Sequence, residues 1–263
     1  MTNLSALRYA VVGLCYEVGA FIRQESQNFD RSKIEVKGHN DLVSYVDKTA
    51  EKRLVQGLKK ILPEAGFIAE EGTADHQGQE QVWVIDPLDG TTNFTHGLPP
   101  FAVSVGLLQA NNPVLGVVYE VGGDEMFSAA QGAGALLNGK PIQVKPSKSL
   151  GEGLMATGFP YTVFDWMDKY MAVMQAFMGK TQGVRRFGSA ATDLAYLACG
   201  RFDGFFEKGL KPWDVAGGVA ILREAGGIVT DFSGGDNWLH GGEIMAGNQL
   251  QPEMLAVVME HWK

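Results

Sequence analysis

Two aspartates follow an apolar segment in the first half of the chain. Residues 82–85 form a continuous apolar run, which predicts a strand buried on both faces, and Asp86 and Asp89 follow it. Pro87 and Gly90 favour turns, so the two carboxylates can point to the same place. Close carboxylates repel each other unless a cation lies between them, and oxygen ligands suit Mg²⁺, Ca²⁺ or Mn²⁺ better than Zn²⁺. The segment predicts a divalent-metal site, although an aspartate pair beside a glycine also occurs in solvated turns.

Backbone amides beside this pair could bind a phosphate. Gly90 and Thr91 lie where a helix or turn would begin, and the free N–H groups at such a position bind anions. Carboxylates that hold a metal, next to amides that hold a phosphate, are what phosphoryl transfer requires.

Two further acidic groups occupy similar positions. Glu70 and Glu71 follow the short apolar segment 67–69, and Asp214 lies beside Trp213 at the predicted start of a helix. The alternatives are a solvated surface pair for the glutamates and a helix N-cap for Asp214. Acids at the ends of strands and the starts of helices suggest convergence on one site, which spacing alone does not prove.

The elements that must position these residues can be predicted from hydrophobic periodicity and turn residues. An amphipathic helix is predicted near the N-terminus, and a second helix runs through Lys60 and is ended by Pro63. Several short strands are predicted between residue 100 and Pro146, whereas helices and strands alternate after it. This change predicts two subdomains, residues 1–146 and residues 147–263. The predicted strands are 34–37, 67–69, 82–85, 101–108, 114–120, 126–129, 204–207 and 228–231, and the later helices are 164–178, 190–199 and one from Trp213 to a glycine cap at residues 226–227.

Composition excludes several classes of function. The 263 residues carry a formal charge of −8 without a dense basic run, so we expect no nucleic-acid partner. No uninterrupted apolar run approaches the roughly 20 residues that span a bilayer, so we expect a soluble, cytoplasmic protein with no membrane contact. Cys15 and Cys199 lie in helical, apolar stretches and are expected to be buried free thiols. An acidic protein that acts on an anion needs metal ions to reverse the local charge.

Four motifs closely resemble those of the inositol monophosphatase family. The family patterns are DLVTxxD, GEE, DPxDGTxNF and WDxAxG, and this chain has Ser44 for the threonine and Ala69 for the glycine. The resemblance covers the chain from about residue 8 to residue 248 and implies a layered α/β (α+β) fold, the αβαβα sandwich of sugar phosphatases. The matching segments are DLVSYVD at 41–47, AEE at 69–71, DPLDGTTNF at 86–94 and WDVAGG at 213–218.

The resemblance implies a set of metal ligands for two or three Mg²⁺ ions. Glu70, Asp86 and the backbone carbonyl of Leu88 would hold the first ion. Asp86 would bridge to a second ion, which Asp89 and Asp214 complete. A third, looser ion would lie near Glu70 and be bound through water.

It also implies the groups that handle water and phosphate. Asp47 and Thr91, together with Glu70, would orient and deprotonate the attacking water. Gly90 and Thr91 would bind the phosphate through their amides. Attack would be direct and in line, without a phosphoenzyme.

Substrate selection is expected in the second subdomain. The resemblance places Gly188, Ser189 and Ala190, with Glu207 and Asp214, around the alcohol part of the substrate. A carboxylate that accepts hydrogen bonds from vicinal hydroxyls suits a cyclitol or sugar. Glu207 could instead be an exposed acid at the end of a strand.

The expected activity is magnesium-dependent hydrolysis of a small phosphate monoester, myo-inositol monophosphate in the first place. The resemblance further implies a homodimer and inhibition by lithium. Fructose 1,6-bisphosphate or NADP are alternative substrates for the same chemistry, but a bisphosphate needs additional cationic contacts in the second half. For Arg185 and Arg186 we expect a structural or subunit contact rather than an anion site.

Two other classes of protein compete with this interpretation. A haloacid-dehalogenase-type phosphatase needs DxDxT, whereas this chain reads DPLDGT with one more residue between the aspartates, so the geometry of that class fails. A non-catalytic module could use the acids for a structural metal, but such a site would have no need of Asp47 or Thr91.

Overall fold

The computed structural model describes residues 3–29, 32, 34–38, 41–73, 78–159 and 165–263, with the backbone alone for 34–38 and 41–43. Residues 39–40, residues 74–77 and Phe164, the predicted first residue of a helix, lie outside this part. The helices are α1 (Leu4–Gln27), α2 (Tyr45–Ile61), α3 (Thr91–His96), α4 (Met167–Lys180), α5 (Ala190–Ala198), α6 (Pro212–Glu224) and α7 (Gln251–His261). The strands are β1 (Ile34–Gly38), β2 (Asp41–Ser44), β3 (Gly66–Ala69), β4 (Gln81–Asp89), β5 (Ala102–Gln109), β6 (Asn112–Glu120), β7 (Glu125–Ala130), β8 (Ala135–Leu137), β9 (Lys140–Ile142), β10 (Leu154–Thr157), β11 (Gly183–Arg185), β12 (Gly204–Lys208), β13 (Ile228–Thr230) and β14 (Glu243–Gly247).

These elements stack in five layers, as the αβαβα prediction requires. Helices α1 and α2 cover one face of a seven-stranded sheet with the order β3-β4-β5-β6-β7-β8-β9. Helices α5 and α6 lie between that sheet and a five-stranded sheet with the order β11-β10-β12-β14-β13. Helices α4 and α7 pack together and cover the outer face of the smaller sheet. One apolar cluster fills the space beneath α1 and α2, another surrounds α5 and α6, and a third lies beneath α4 and α7.

Helix α1 is long because its sequence offers both a cap and an apolar stripe. The side chain of Asn3 accepts a hydrogen bond from the backbone N–H of Ala6, and Val11, Cys15, Val18 and Ile22 lie buried along one face. By length and composition α1 could cross a membrane, and it is the one such helix among the described residues. A core helix passes the same test, and the stripe of α1 packs against α2 and β6.

The large sheet carries the first pair of aspartates at the end of a central strand. β4 pairs parallel with β3 and antiparallel with β5, and helices cover both faces. This explains why residues 82–88 are all buried. The pairing with β5 shifts register between Asp86 and Asp89, so the strand bends where the acids begin.

Helix α6 joins the later half of the chain to this sheet. It packs against β4 to β7 and approaches most closely at Gly116 of β6, where an added Cβ would overlap the carbonyl oxygen of Gly217. The small sheet uses residues 154–247 and the large sheet residues 66–142. The division at residue 146 falls between these ranges and stays a prediction.

Most predicted elements are present, and several were missed. The sequence patterns did not predict β10, β14 or α7, whose short or glycine-flanked segments show weak periodicity. Cys15 is a buried free thiol as expected, whereas Cys199 follows the last turn of α5 and is half-buried.

Candidate active site

A cavity of about 320 Å³ opens at the carboxyl end of β4, between the large sheet and the later helices. Among the predicted site residues, Asp47 alone does not line it. Those that do are Glu70, Asp86, Leu88, Asp89, Gly90, Thr91, Gly188, Ser189, Ala190, Glu207 and Asp214. The structure therefore brings together acids that are separated by up to 144 positions in the sequence, counted from Glu70 to Asp214.

Three carboxylates form the centre of the cavity. Asp86, Asp89 and Asp214 each offer an oxygen within 4.8 Å of the others. Glu70 lines the same cavity, close enough to raise the pKa of Asp86, but it is not part of this closest group. Two strands and a helix therefore supply the acids, because β3 leads to Glu70, β4 ends with the aspartates and α6 begins near Asp214.

Hydrogen bonds fix the orientation of Asp89. Its Oδ2 accepts from the Ser189 hydroxyl and from the backbone N–H of Ala191, both at 2.7 Å. Ser189 is the N-cap of α5, so the start of that helix holds an acid of β4.

Asp86 and Asp214 are held in a similar way. The Oδ1 of Asp86 accepts from the backbone N–H of Leu88 at 2.9 Å, and the Oδ2 of Asp214 accepts from that of Lys211 at 2.6 Å. Asp214 therefore lies in the first turn of α6 and accepts a hydrogen bond from the N-cap residue Lys211, and is not itself the N-cap. Its other oxygen stays available to the cavity. No hydrogen bond of the described residues occupies the second oxygen of either aspartate.

The buried carboxylates of this cluster repel one another when they are ionised. Burial raises the pKa of Asp86 well above its ordinary value, and the carboxylates of Glu70, Asp89 and Asp214 raise it further. Burial raises the pKa of Asp89 to about 6, although hydrogen bonds to its carboxylate oppose the shift. Burial and then Asp89 raise the pKa of Asp214 to about 7. A cation among these oxygens would remove the repulsion.

The donor set fits a hard divalent cation. All the converging groups are oxygens, and each aspartate has one oxygen fixed by hydrogen bonds, which orients the other. No cysteine or histidine of the described residues belongs to the group, so the chemistry suits Mg²⁺, Mn²⁺ or Ca²⁺.

Asp47 does not line the cavity but contacts Thr91, which does. It is 1% exposed, and its Oδ1 accepts a hydrogen bond of 2.9 Å from the Thr91 hydroxyl, which also lies 3.0 Å from the carbonyl oxygen of Leu88. The backbone N–H and the hydroxyl of Ser44 hold the other oxygen. Burial raises the pKa of Asp47, while these hydrogen bonds oppose the shift. The hydroxyl of Thr91 connects this buried carboxylate to the cavity.

Gly90 is required by the backbone at the phosphate-binding segment. Its φ of 91° is left-handed, and an added Cβ would lie 3.0 Å from the carbonyl oxygen of Pro100 and 3.2 Å from that of Gly188. The side-chain amide of Asn93 fastens the same region by donating to the carbonyls of Pro100 and Phe187, at 2.8 and 2.7 Å.

Glu207 is a further acid that lines the cavity. Burial raises the pKa of Glu207 well above its ordinary value, the carboxylates of Asp214 and Asp89 add to this, and Arg186 opposes it. Asp193 of α5 lies behind Glu207 and is 1% exposed, and its Oδ1 has no hydrogen-bond partner among the described residues. The alternative of a fully exposed acid is therefore wrong for Glu207, which lines the cavity.

Sequence reasoning missed several residues of the wall. Arg186 lines the cavity, whereas Arg185 is exposed. The structural or subunit contact expected for this arginine pair stays a prediction. Gly158 and Phe159 follow β10, a strand the pattern did not predict, and Lys211 precedes α6. The position of Arg186 two residues before Gly188 is the one signal that could have identified it.

Comparison with known proteins defines the class. The profile of the Inositol monophosphatase family matches residues 3–263. This is a family of phosphatases that act on small phosphate substrates and use divalent metal ions. The chain belongs to the inositol monophosphatase family.

Three individual proteins illustrate the similarity. The chain is 44% identical over 245 residues to the putative Nus factor SuhB of Neisseria meningitidis serogroup B, covering 92% of this chain and 94% of that protein. It is 39% identical over 258 residues to the inositol-1-monophosphatase of Rhizobium meliloti, covering 97% of each. The crystal structure of the extragenic suppressor protein suhB from Bartonella henselae superposes with a TM-score of 0.91 at 36% identity, covering 96% of this chain and 98% of that one.

Proposed function

We propose that this protein hydrolyses myo-inositol monophosphate, or a closely similar polyol phosphate, with Mg²⁺ as its cofactor. The observation that carries the proposal is the convergence of Asp86, Asp89 and Asp214 within 4.8 Å, beside the backbone of Gly90 and Thr91. The carbonyl of Leu88 and the carboxylate of Glu70 line the same space and would complete the ligand set for two or three ions. Bound Mg²⁺ would neutralise the phosphate and make a nearby water more acidic.

The Asp47–Thr91 pair would handle the proton of the attacking water. Thr91 Oγ1 accepts that proton while its own hydroxyl proton passes to Asp47 Oδ1 along the 2.9 Å hydrogen bond. The water oxygen attacks phosphorus in line, the bond from phosphorus to the alcohol oxygen breaks on the opposite side, and the leaving alkoxide takes a proton from a solvent water there. The amides of Gly90 and Thr91 would hold the phosphate during this step.

The alcohol would lie against Gly188, Ser189, Ala190 and Glu207. The Glu207 carboxylate would accept hydrogen bonds from vicinal hydroxyls, and an alcohol without them would leave it unpaired. This supports a cyclitol or sugar phosphate as the substrate class.

A bisphosphate substrate is the runner-up. Arg186 and Lys211 both line the cavity, so cationic groups are present in the second half. Arg186, however, already faces Glu207, Asp89 and Asp193, and its charge opposes the rise in the pKa of each. Because its charge is opposed within the protein, we favour a monophosphate over fructose 1,6-bisphosphate or NADP.

The assembly, the compartment and the inhibitor are also proposals. We infer a cytoplasmic homodimer that lithium inhibits by competing for a magnesium position, and these inferences follow from family membership. The relatives named Nus factor SuhB suggest a second role, which the cavity neither requires nor opposes.

The decisive experiment is phosphate release from inositol, fructose, histidinol and nucleotide phosphates, with Mg²⁺ varied and lithium added. We expect Mg²⁺-dependent release, fastest from inositol monophosphate. Asp89→Asn should lower kcat at least about a hundredfold, because it removes a charged ligand while the hydrogen bonds around it can persist. Asp168→Asn, at an exposed acid in the first turn of α4, is the control and should leave kcat unchanged.

Absence of release from every ester would contradict the proposal and leave the Nus-factor name as the better guide. Full activity of Asp89→Asn would remove Asp89 from the metal site. A phosphoaspartate trapped during turnover would favour the haloacid-dehalogenase-type mechanism instead.

A further inference from the structure

The Glu207 carboxylate rests directly on the backbone of Gly158. A Cβ added to Gly158 would overlap the carboxyl carbon and both carboxylate oxygens of Glu207. Both residues line the cavity, so any side chain at position 158 must displace the carboxylate or be displaced by it. The φ of Gly158 is not left-handed, so the requirement for glycine is one of space and not of backbone conformation.

Buried hydroxyls tie together the two segments that carry these residues. β10 and β12 pair in parallel with Thr157 opposite Phe206, which places Gly158 beside Glu207. The Thr157 hydroxyl lies 2.7 Å from the carbonyl oxygen of Phe206, and the Tyr170 hydroxyl lies 2.9 Å from the carbonyl oxygen of Gly158. The two hydroxyls lie 2.6 Å apart, so one donates to the other and the second donates to a carbonyl.

Tyr170 reaches this network from the outermost layer of helices. It lies on α4, is fully buried, and packs against the rings of Trp166, Phe206 and Trp262. Its hydroxyl lies between the carbonyl that follows β10 and the carbonyl that precedes Glu207, at 2.9 and 3.3 Å. A core of aromatic rings therefore fixes the spacing of the two strands at the point where Glu207 enters the cavity.

We propose that Gly158 and Tyr170 are positioning residues for Glu207 and thereby set the selectivity for a polyhydroxylated alcohol. This inference rests on the proposed function and extends it, because it assigns the selectivity to residues that no family motif contains. Gly158 leaves the space that the carboxylate occupies, and Tyr170 with Thr157 holds the strands so that the carboxylate cannot retreat from it. Displacement of a recognition group by about 1 Å is enough to weaken a site markedly.

The test compares kcat/KM for myo-inositol 1-phosphate with kcat/KM for 4-nitrophenyl phosphate, which has no hydroxyls to recognise. We expect Gly158→Ala to lower this ratio about 10- to 100-fold and Tyr170→Phe to lower it about 3- to 10-fold, since a misplaced carboxylate loses hydrogen bonds to the alcohol. The loss should appear mainly as a higher KM for the inositol ester. Thr157→Val provides a third variant in case Gly158→Ala fails to fold.

Two controls separate positioning from stability. Tyr119→Phe removes a hydroxyl from another buried tyrosine, one that contacts Arg23 and Asp124 in the first half of the chain. Gly57→Ala crowds the side chain of Leu14 where α2 packs against α1, in the first half of the chain. Both should lower the melting temperature and leave the ratio within about twofold of wild type, because neither acts on the alcohol.

A double-mutant cycle gives the sharpest outcome. If Gly158 acts through Glu207, the change that Gly158→Ala makes in the ratio should vanish in a Glu207→Gln background. Equal effects in both backgrounds, or unchanged ratios in folded Gly158→Ala and Tyr170→Phe, would overturn the inference. Failure of the wild-type protein to release phosphate from myo-inositol 1-phosphate with Mg²⁺ would instead count against the proposed function.

Discussion

Thr91 and Thr95 lie one turn apart on α3, yet their hydroxyl groups have different surroundings. Thr91 Oγ1 lies 2.9 Å from the buried Asp47 carboxylate and faces the cavity. Thr95 Oγ1 donates to the carbonyl of Thr92 within the same helix, at 2.9 Å, and is buried away from the cavity. The same residue type therefore serves a proposed proton relay at one position and local helix structure at the other.

We predict that Thr91→Val lowers kcat by about 10² to 10⁴, the range for removal of a general acid–base group. Thr95→Val is the matched control and should retain kcat, with a loss of stability of about 1 kcal/mol for one intramolecular hydrogen bond. Steady-state kinetics at saturating Mg²⁺, with thermal unfolding of both variants, checks the prediction. Retention of wild-type kcat in Thr91→Val would exclude the relay and revive a purely structural metal site.

At the scale of elements, the contact between α6 and the large sheet holds Asp214 opposite the aspartates of β4. Small residues make this contact close. Gly106 of β5 and Gly116 of β6 face Ala216 and Gly217, and a Cβ at Gly106 would lie 2.9 Å from that of Ala216. Since Asp214 lies two residues before Ala216, any shift of the helix away from the sheet moves a proposed metal ligand.

Gly116→Ala should therefore affect both stability and metal binding. Its Cβ would meet backbone atoms of Gly217, which cannot give way as a flexible side chain can. We expect a loss of about 1–3 kcal/mol in the free energy of unfolding, as for other overpacked interiors. The concentration of Mg²⁺ needed for half-maximal activity should rise as well.

Gly13→Ala is the matched control for this prediction. Gly13 lies within α1 and has no atom within 4 Å of an added Cβ. Alanine there should be neutral or stabilise by about 0.5–1 kcal/mol through helix propensity. Urea unfolding and Mg²⁺ titration of both variants measure the two effects. Wild-type values for Gly116→Ala in both would contradict the proposed coupling.

Across the whole molecule, we expect the cluster of acids to couple metal binding to stability and pH. The pKa of Asp89 is about 6 and that of Asp214 about 7 in the folded protein, above the value of about 3.9 for an unperturbed aspartate. The folded, metal-free protein thus holds these protons more tightly than the unfolded chain. The resulting stability is fully present below pH about 4 and is lost as pH rises through 6 to 7.

We predict that Mg²⁺ raises the melting temperature more at pH 8 than at pH 5.5, because protons compete for the same oxygens at the lower pH. In EDTA the melting temperature should fall as pH rises from 5.5 to 8. Asp214→Asn should show a smaller response to Mg²⁺ and a weaker pH dependence. Differential scanning calorimetry measures all three, and an equal effect of Mg²⁺ at both pH values would sink the assignment of these acids as ligands.

The acids of the cavity and most of the elements that carry them could be predicted from local patterns in the sequence. Asp86 and Asp89 are three positions apart at the end of a strongly apolar strand, so local geometry alone brings them close. The helical periodicity of α1 and α2 and the apolar runs of β4 to β7 are local signals of the same kind. The family motifs added the more distant Glu70 and Asp214 to the same site.

The surroundings of Glu207 could not be predicted in this way, because they depend on contacts between distant segments. Gly158 becomes its neighbour because β10 pairs with β12, strands that are about 50 residues apart and of which β10 shows little periodicity. Arg186 and Tyr170 join the same region from a strand end and an outer helix, and neither carries a motif. Spacing along a chain fixes contacts within one element, whereas contacts between layers depend on register and packing, which no local pattern encodes.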